Sequence, residues 1–517
     1  MNPARTLAVI GAGPAGLAAA LAAALRGVRV VLLDSAGQAG GQFYRQPAGA
    51  LGARHPKALH HQWRTWERLR DGLAEQVSAG RVRHLTEHHV WFVERVGQAA
   101  QGWAWAQGQA HGRVRGQVQG RVQPPGGHGF VVHALLGPRQ EDSVAVPVDA
   151  VVLATGGYEK VLPFPGWTLP GVLTAGGAQA MLKGGLVLPG RTAVVAGTGP
   201  LLMPVAAGLA AAGAEVAALV EAAGPRAFAR RAPGLAAHPD KLAEGAGYLT
   251  RLLRHRVPLT ARHTVVEAHG EDSVEAVTIA ALDTAGRVRP GTERRIPCDT
   301  LAVGHGMLPH TDLAEGLGCR IEGTDVAVDA EQRTGVPGVW AAGEATGIGG
   351  AALSLAEGHI AGRSAAARLR GNTPDPRTWA RAAKSRTRAR TLAAALAAVY
   401  VPPAHWTEQL RDDTLVCRCE EVPASAVREA VAELGATDAR SVKLLTRAGM
   451  GWCQGRLCAA AVAGLTGCRE RSARRPFAGP VPLGELARDP DDEQAPGGYE
   501  QPPGDEHTAD GDEQTPS

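Results

Sequence analysis

TLAVIGAGPAG, residues 6–16, runs an apolar segment into a glycine turn and then into a helix rich in alanine and leucine. VRVVLLD, residues 28–34, follows as a second apolar run ending in an acid. A strand, a glycine turn, a helix and a second strand make a βαβ opening. Gly11, Gly13 and Gly16 supply the GxGxxG spacing. In that spacing the first glycine allows the tight turn, and the second lets backbone approach a pyrophosphate. The third lets the helix pack against the strand. Asp34 ends the second run, where a carboxylate can accept hydrogen bonds from ribose hydroxyls. The spacing alone is weak in a glycine-rich chain; strand context and the placed acid make it a nucleotide site.

Working outward, VDAVVLATGG (148–157) reads as a buried strand, and the proline-punctuated PFPGWTLPGV (163–172) as a stiff crossover. GRTAVVAGTGPLL (190–202) opens a second βαβ unit, with Glu221 ending its next strand. Leu202 stands there in place of the third glycine, so its helix is expected to sit off the strand and bind NAD(P)H poorly. CDTLAVGHG and GVWAAGEATG are further short strands ending in glycine. Residues 98–129, rich in Gly and Gln, read as a long loop or irregular ribbon. From Asp489 onward ten acidic residues occur without Lys or Arg, which reads as a disordered acidic tail and makes the rest more basic than the net +4. The body's arginines are scattered, which argues for a solvated surface and against nucleic acid. Residues 1–24 imitate a signal peptide and 201–220 a membrane span, but each fits a strand, turn and helix better.

No cysteine precedes Cys298, so a redox dithiol beside the first nucleotide turn is excluded. Four of the seven cysteines fall in one short segment: Cys417 and Cys419 in VCRCEEV, Cys453 and Cys458 in TRAGMGWCQGRLC. Structural zinc favours C-x2–4-C hooks. C-x-C followed by C-x4-C suits a [2Fe–2S] cluster, whose irons take two thiolates each; zinc is the rival. Arg418, Lys443, Arg447 and Arg456 are at hand to offset its negative charge, and Gly449, Gly451 and Gly455 to let backbone approach the sulfurs. Cys453 is expected to begin a helix, whose positive end favours thiolate. Cys298, Cys319 and Cys468 read as core or surface thiols.

The order of segments resembles the flavoproteins with two dinucleotide domains, in which GGQ (40–42), ATG (154–156) and AAGE (341–344) surround FAD. The resemblance implies that Gly41, Gln42, Thr155, Gly156, Gly343 and Glu344 join Gly11, Gly13, Gly16 and Asp34 around FAD. Glu344 is one methylene longer than the usual Asp on the ribityl chain. VCRCEEV with TRAGMGWCQGRLC resembles the bacterioferritin-associated-ferredoxin-like [2Fe–2S] domain. AGGQFYR, PFPGWTLPGVLTAGGAQ and GTGPLL are similar to the FAD-binding subunits of bacterial heteromeric amine and imino acid dehydrogenases, a family that includes opine oxidase, hydrogen cyanide synthase and proline or hydroxyproline dehydrogenases. The resemblance covers residues 6–486 apart from the Gly/Gln-rich insert.

The expected fold is α/β, with two Rossmann-like domains of the glutathione-reductase type followed by a small helical [2Fe–2S] domain. The expected boundaries are 1–160 and 298–371 for the FAD domain and 161–297 for the second, degenerate nucleotide domain. A helical connector (372–411), the cluster domain (412–470) and the C-terminal extension (471–517) follow. The resemblance implies an electron-relaying subunit in the dehydrogenation of an amino acid, imino acid or opine. Its partners would be a second FAD-containing, oxidase-like subunit that carries the amine site, and a small ferredoxin-like subunit. Two other readings stay open: a self-sufficient NAD(P)H-dependent reductase, and an iron–sulfur scaffold or sensor on a flavoprotein fold. Tyr44, Arg45, His88, His89 and His359 are candidates by position only, and no catalytic acid or base is assigned. The expected location is the cytoplasm, without a transmembrane segment, with peripheral membrane contact left open.

Overall fold

The apolar runs of the sequence become the central strands of two parallel sheets. The computed structural model describes residues 5–60, 62–96, 129–137, 139–140, 142–468 and 475–487. The first sheet orders its strands Val339–Ala341, Ala150–Leu153, Thr6–Ile10, Arg29–Leu33 and Val82–Leu85. All are parallel, with Thr6–Ile10 central. Leu7 and Val9 enter one core, Ala8 and Ile10 another, so both faces of the central strand are covered. That explains why it reads as a continuous apolar run without alternation. The second sheet orders Leu259–Ala261, Glu215–Glu221, Thr192–Gly197, Thr300–Gly304 and Val172–Thr174, again parallel. Residues 201–220, the stretch that imitates a membrane span, divide into helix Leu202–Ala211 and the start of strand Glu215–Glu221. Among the described residues no helix is long and apolar enough to cross a membrane.

Glycine permits the closest contacts of the first domain. A Cβ on Gly16 would stand 1.6 Å from the Gly11 carbonyl oxygen, so helix Pro14–Ala24 can begin there only without a side chain. The long helix Gly350–Leu369 crosses the other side of that helix. Cβ atoms on Gly358 and Gly362 would lie 2.0 and 2.2 Å from the carbonyl oxygens of Ala15 and Ala19. This crossing carries the end of strand Val339–Ala341 to the first glycine turn, although more than 300 residues separate them.

The antiparallel strands His88–Arg95, Phe130–Leu136 and Asp142–Val148 bracket the Gly/Gln-rich insert, of which residues 97–128 lie outside the described residues. The acidic segment from Asp489 also lies outside them. The arginine-rich connector contains helix Ala380–Val399, which packs on helices Gly350–Leu369 and Pro225–Ala236. The cysteine module pairs strands Leu415–Cys417 and Val422–Pro423, then adds helices Ala424–Ala432, Ala439–Thr446 and Ala459–Thr466. Val416, Val427, Val442 and Ala461 give it a small core of its own. Trp167 of the proline-rich crossover donates its indole N–H to the Leu415 carbonyl at 2.7 Å, tying that module to the body. By contacts the chain divides at Pro480, and the later unit shows one short described helix, Leu483–Ala487.

The contact at Gly16 is with backbone, which has no freedom to step aside. Gly16→Ala is therefore expected to destabilise the chain by about 1–3 kcal/mol or more. Urea unfolding followed by tryptophan fluorescence would show a lowered midpoint; an unchanged midpoint would mean the helix tolerates the shift.

Candidate redox site

The first glycine turn, Asp34, the 40–42 turn, the 155–156 turn and Glu344 open on one cleft, a cavity of about 2500 Å³ that continues across the second domain. Gly11 takes φ of +104°, and a Cβ there would meet the Ala154 carbonyl oxygen at 2.3 Å. Gly13 is the N-cap of helix Pro14–Ala24 and offers no side-chain acceptor to the helix's free N–H groups. Those amides and the positive helix end are left for an anion. Gly41, at φ +58°, faces Gly13 so closely that a Cβ on it would lie 2.7 Å from the Gly13 Cα. A narrow cradle of backbone results, which suits a pyrophosphate.

The Asp34 carboxylate accepts from the amides of Ala12 and Ala36, the latter at 2.7 Å. Each oxygen keeps acceptor capacity for a ribose hydroxyl. Gln42 accepts from Arg45 at 2.9 Å. Thr155 donates its hydroxyl to the His310 carbonyl at 2.6 Å, and Gly156 makes the turn at φ +74°. Gly343 donates its N–H to Glu357 at 3.0 Å, and Glu344 accepts from Gly350 N–H at 3.2 Å. Burial pushes the Glu344 carboxyl above its usual range. The longer side chain thus reaches the start of helix Gly350–Leu369 while still lining the cleft.

Glu357 escaped the sequence reading. It is fully buried and also accepts from Thr346 Oγ1 at 2.7 Å and from Arg390 at 2.6 and 3.0 Å. Its burial raises the pKa, and the Arg390 guanidinium works against that rise. One arginine of the connector is therefore a fixed brace under the AAGE turn. A Glu on the alanine- and glycine-rich stretch of helix Gly350–Leu369 was the available signal. Tyr44 is buried and His359 half-buried; Arg45 and His89 line the cleft without assembling a nucleophile–base pair.

In the second domain Gly197, Gly199 and Leu202 occupy the places of Gly11, Gly13 and Gly16. Helix Pro14–Ala24 starts three residues after its first glycine, whereas helix Leu202–Ala211 starts five after Gly197. The Leu202 side chain is buried, lying 3.2 Å from where a Cβ on Gly304 would sit. Glu221 accepts from Ala223 at 2.9 Å and Gly199 at 3.3 Å, and burial pushes its carboxyl up to about 7. Phe228 and Tyr400, the latter just after the connector helix, meet edge to face at 5.5 Å beside this crevice.

The four thiols lie together and differ in exposure: Cys417 and Cys458 are an inner, buried pair, and Cys453, half-buried, and Cys419, exposed, an outer one. Burial, reinforced by Cys417, pushes the Cys458 thiol up, so metal binding there must displace a proton. Among the described residues no three His, Cys, Asp or Glu side chains gather around a single-ion site. Gly451 is pressed against Cys419, a Cβ on it meeting the Cys419 Cβ at 2.3 Å. Cys453 does not begin a helix as expected. Gln454 and Gly455 take φ of +49° and +84°, which delays the helix to Ala459 and makes Cys458 the N-cap.

Arg456 does not simply offset cluster charge either. It reaches Asp312 at 2.7 Å and also donates to the carbonyls of Ala478 at 2.6 Å and Cys453 at 3.3 Å. Arg475 pairs with the other Asp312 oxygen and donates to the Gln454 carbonyl at 2.7 Å. Arg447 pairs with Glu420 at 2.8 Å. Trp452, beside the outer cysteine pair, is 76 % exposed. Cys298 and Cys319 are buried, and Cys468 donates to the Thr437 carbonyl at 2.9 Å.

Residues 5–382 match the family model described as pyridine nucleotide-disulphide oxidoreductase. The chain belongs to that family. Residues 415–465 match the BFD-like [2Fe–2S] binding domain, the segment that holds the four thiols. The chain is 33 % identical to an opine oxidase subunit of Agrobacterium tumefaciens (strain Ach5), over 95 % of this chain and 92 % of that one. It is 32 % identical to hydrogen cyanide synthase subunit HcnB of Pseudomonas aeruginosa, over 87 % and 90 %. Its fold is also that of L-proline dehydrogenase from P. horikoshii, with a TM-score of 0.59 at 20 % identity, covering 94 % of this chain and 81 % of that one. This family member is a flavin-dependent oxidoreductase whose cofactors are FAD and a [2Fe–2S] cluster, and its relatives are subunits of oxidases.

Replacing Cys453 by Ser is expected to abolish the cluster's visible absorption and its spin signal on reduction while FAD stays bound. Stoichiometric zinc without iron in the wild type would overturn the cluster assignment. Leu202 in place of the third glycine leads to a second expectation: NADH and NADPH will bleach the flavin slowly. Rapid stoichiometric bleaching in a stopped-flow mixer would show that the second crevice works.

Proposed function

We propose that this chain relays electrons in the oxidative dehydrogenation of an amino acid, imino acid or opine, as one subunit of a complex. The observation that carries the reading is that a dinucleotide cleft and a four-thiol module are bolted together in one chain, at Asp312. FAD accepts electrons in pairs and a [2Fe–2S] cluster passes them singly, so the combination splits pairs into single electrons. The names of the full-length relatives, opine oxidase and hydrogen cyanide synthase subunits, point to C–N oxidation as the source.

In this reading Gly11, Gly13, Gly16 and Gly41 form the pyrophosphate cradle through their backbone, and Asp34 takes the ribose hydroxyls. Gln42, Thr155, Gly156, Gly343 and Glu344 line the flavin end of the cleft, with Glu357 and Arg390 holding the last turn in place. Cys417, Cys419, Cys453 and Cys458 ligate the cluster. The remainder of the complex would be a second FAD-containing, oxidase-like subunit that holds the amine, and a small ferredoxin-like subunit. Removing hydride from a C–N bond requires the α-carbon fixed close to a flavin with its carboxylate clamped. We assign that pocket to the partner.

Steady-state dye reduction against a panel of amino acids, proline-type imino acids and opines tests this. The isolated, cofactor-loaded chain is expected to show negligible turnover, and co-expression with its oxidase-like partner to restore it. Robust turnover by this chain alone would relocate the amine site here and defeat the subunit reading.

A further inference from the structure

Asp312 is one of the few carboxylates buried almost completely among the described residues, 4 % exposed at its side chain. It begins a short helix, Asp312–Gly316, in the flavin half of the chain, immediately after the strand that pairs with Gly157–Glu159. Both of its oxygens are taken by guanidinium groups that come from the other end of the sequence. Arg456 lies between two cluster cysteines and Arg475 lies beyond the module; they are 15 % and 10 % exposed. His310 stands 3.6 Å from the same carboxylate, and burial pushes its imidazole below the usual range while Asp312 works against that. Burial alone would raise the Asp312 carboxyl, but the two guanidiniums outweigh it and hold it below the usual range.

The contacts run from one cofactor site to the other without a gap. The Thr155 hydroxyl of the flavin-side turn holds the His310 carbonyl. Two residues on, Asp312 holds Arg456, which donates to the carbonyl of the ligand Cys453. Through Arg475 the same carboxylate reaches the carbonyl of Gln454, the residue after that ligand. Two backbone carbonyls of the cysteine loop are therefore positioned from a single acid on the flavin side.

We propose that Asp312 is a positioning residue that, through Arg456 and Arg475, docks the Cys453–Cys458 loop against the flavin turn and fixes the approach of the two cofactors. This rests on the reading that electrons pass between FAD and the cluster within this chain. Each such transfer takes one electron from reduced FAD and gives it to an oxidised cluster, with no bond made or broken, so two transfers empty the flavin. Rate falls steeply with separation. The anion also offsets one of the two guanidinium charges, which otherwise would both stand uncompensated beside the ligand loop.

The test uses the full chain carrying both cofactors, with the flavin reduced photochemically under anaerobic conditions and cluster reduction followed by its absorbance and spin signal. Asp312→Asn removes the charge with little change of shape, Arg456→Lys keeps charge but loses the fork, and Asp312→Glu restores the anion. Asp312→Asn is expected to slow flavin-to-cluster transfer several-fold, because electron tunnelling falls off steeply with separation. It should also shift the cluster midpoint potential upward, because a freed guanidinium favours the reduced, more negative cluster. Arg456→Lys should slow the transfer with a smaller potential shift, and Asp312→Glu should recover most of both. If Asp312→Asn loses the cluster, Arg456→Lys decides. Wild-type rate and potential in either variant, with only a lower unfolding midpoint, would reduce Asp312 to a structural role and overturn the proposal. No transfer in the wild type would instead defeat the functional reading on which it rests.

Discussion

The cofactor face depends on how closely helix Pro14–Ala24 is gripped by backbone on two sides. Gly16 closes on the Gly11 carbonyl, and Gly358 and Gly362 close on the carbonyls of Ala15 and Ala19. A methyl group at any of these points would meet backbone, and relieving such a clash costs about 1–3 kcal/mol. Phosphate attraction to a helix end is typically smaller, about 0.3–1 kcal/mol at an exposed site. The packing therefore decides where the amides point, and the electrostatics exploit a helix end already fixed. Because helix Gly350–Leu369 is locked onto the same helix, Gly343 is drawn to Ala15, where a Cβ would approach the Ala15 Cβ to 2.7 Å. Glu357 then lies under that turn and gathers Gly343, Thr346 and Arg390.

The second domain shows what happens when one glycine of this grip is exchanged. Leu202 buries its side chain in the core shared with Val205 and Leu209. Burying a leucine contributes about 1.5–3 kcal/mol, more than the helix-end attraction it disturbs. The domain thus keeps its sheet and its acid, Glu221, while its helix starts later after the first glycine than in the first domain.

What could be read from the chain follows from the range of each interaction. The glycine spacing, the acid at the end of the second strand and the paired cysteine spacings are local patterns, and the structure brings the residues they select into the cleft and into the two thiol pairs. The braces are not local. Asp312 and Arg456 are 144 residues apart, and Glu357 and Arg390 lie on different helices. HTDLAEG reads only as a helix start with an acid, and each arginine reads as one more surface charge in an arginine-rich chain. No periodicity marks which of many arginines turns inward. The Cys453 helix failed for a related reason: left-handed backbone at Gln454, a residue type with no special liking for it, interrupts the turn.

A buried ion triad is a poor way to add stability. Its desolvation can outweigh its attraction, and apolar groups of the same volume often do as well or better. What it supplies is direction. An apolar contact between the cysteine loop and the flavin half would allow sliding and rotation, whereas Arg456 must meet Asp312, the Ala478 carbonyl and the Cys453 carbonyl together. The module has its own small core and a tether at Trp167 besides the triad. Orientation is what remains for the triad to determine. The inner cysteine pair is buried within the module, while Cys419 and Trp452 stay open to solvent. A loop anchored from the flavin side and open on the other has a defined entrance and a defined exit, which is the arrangement a relay between two redox partners requires.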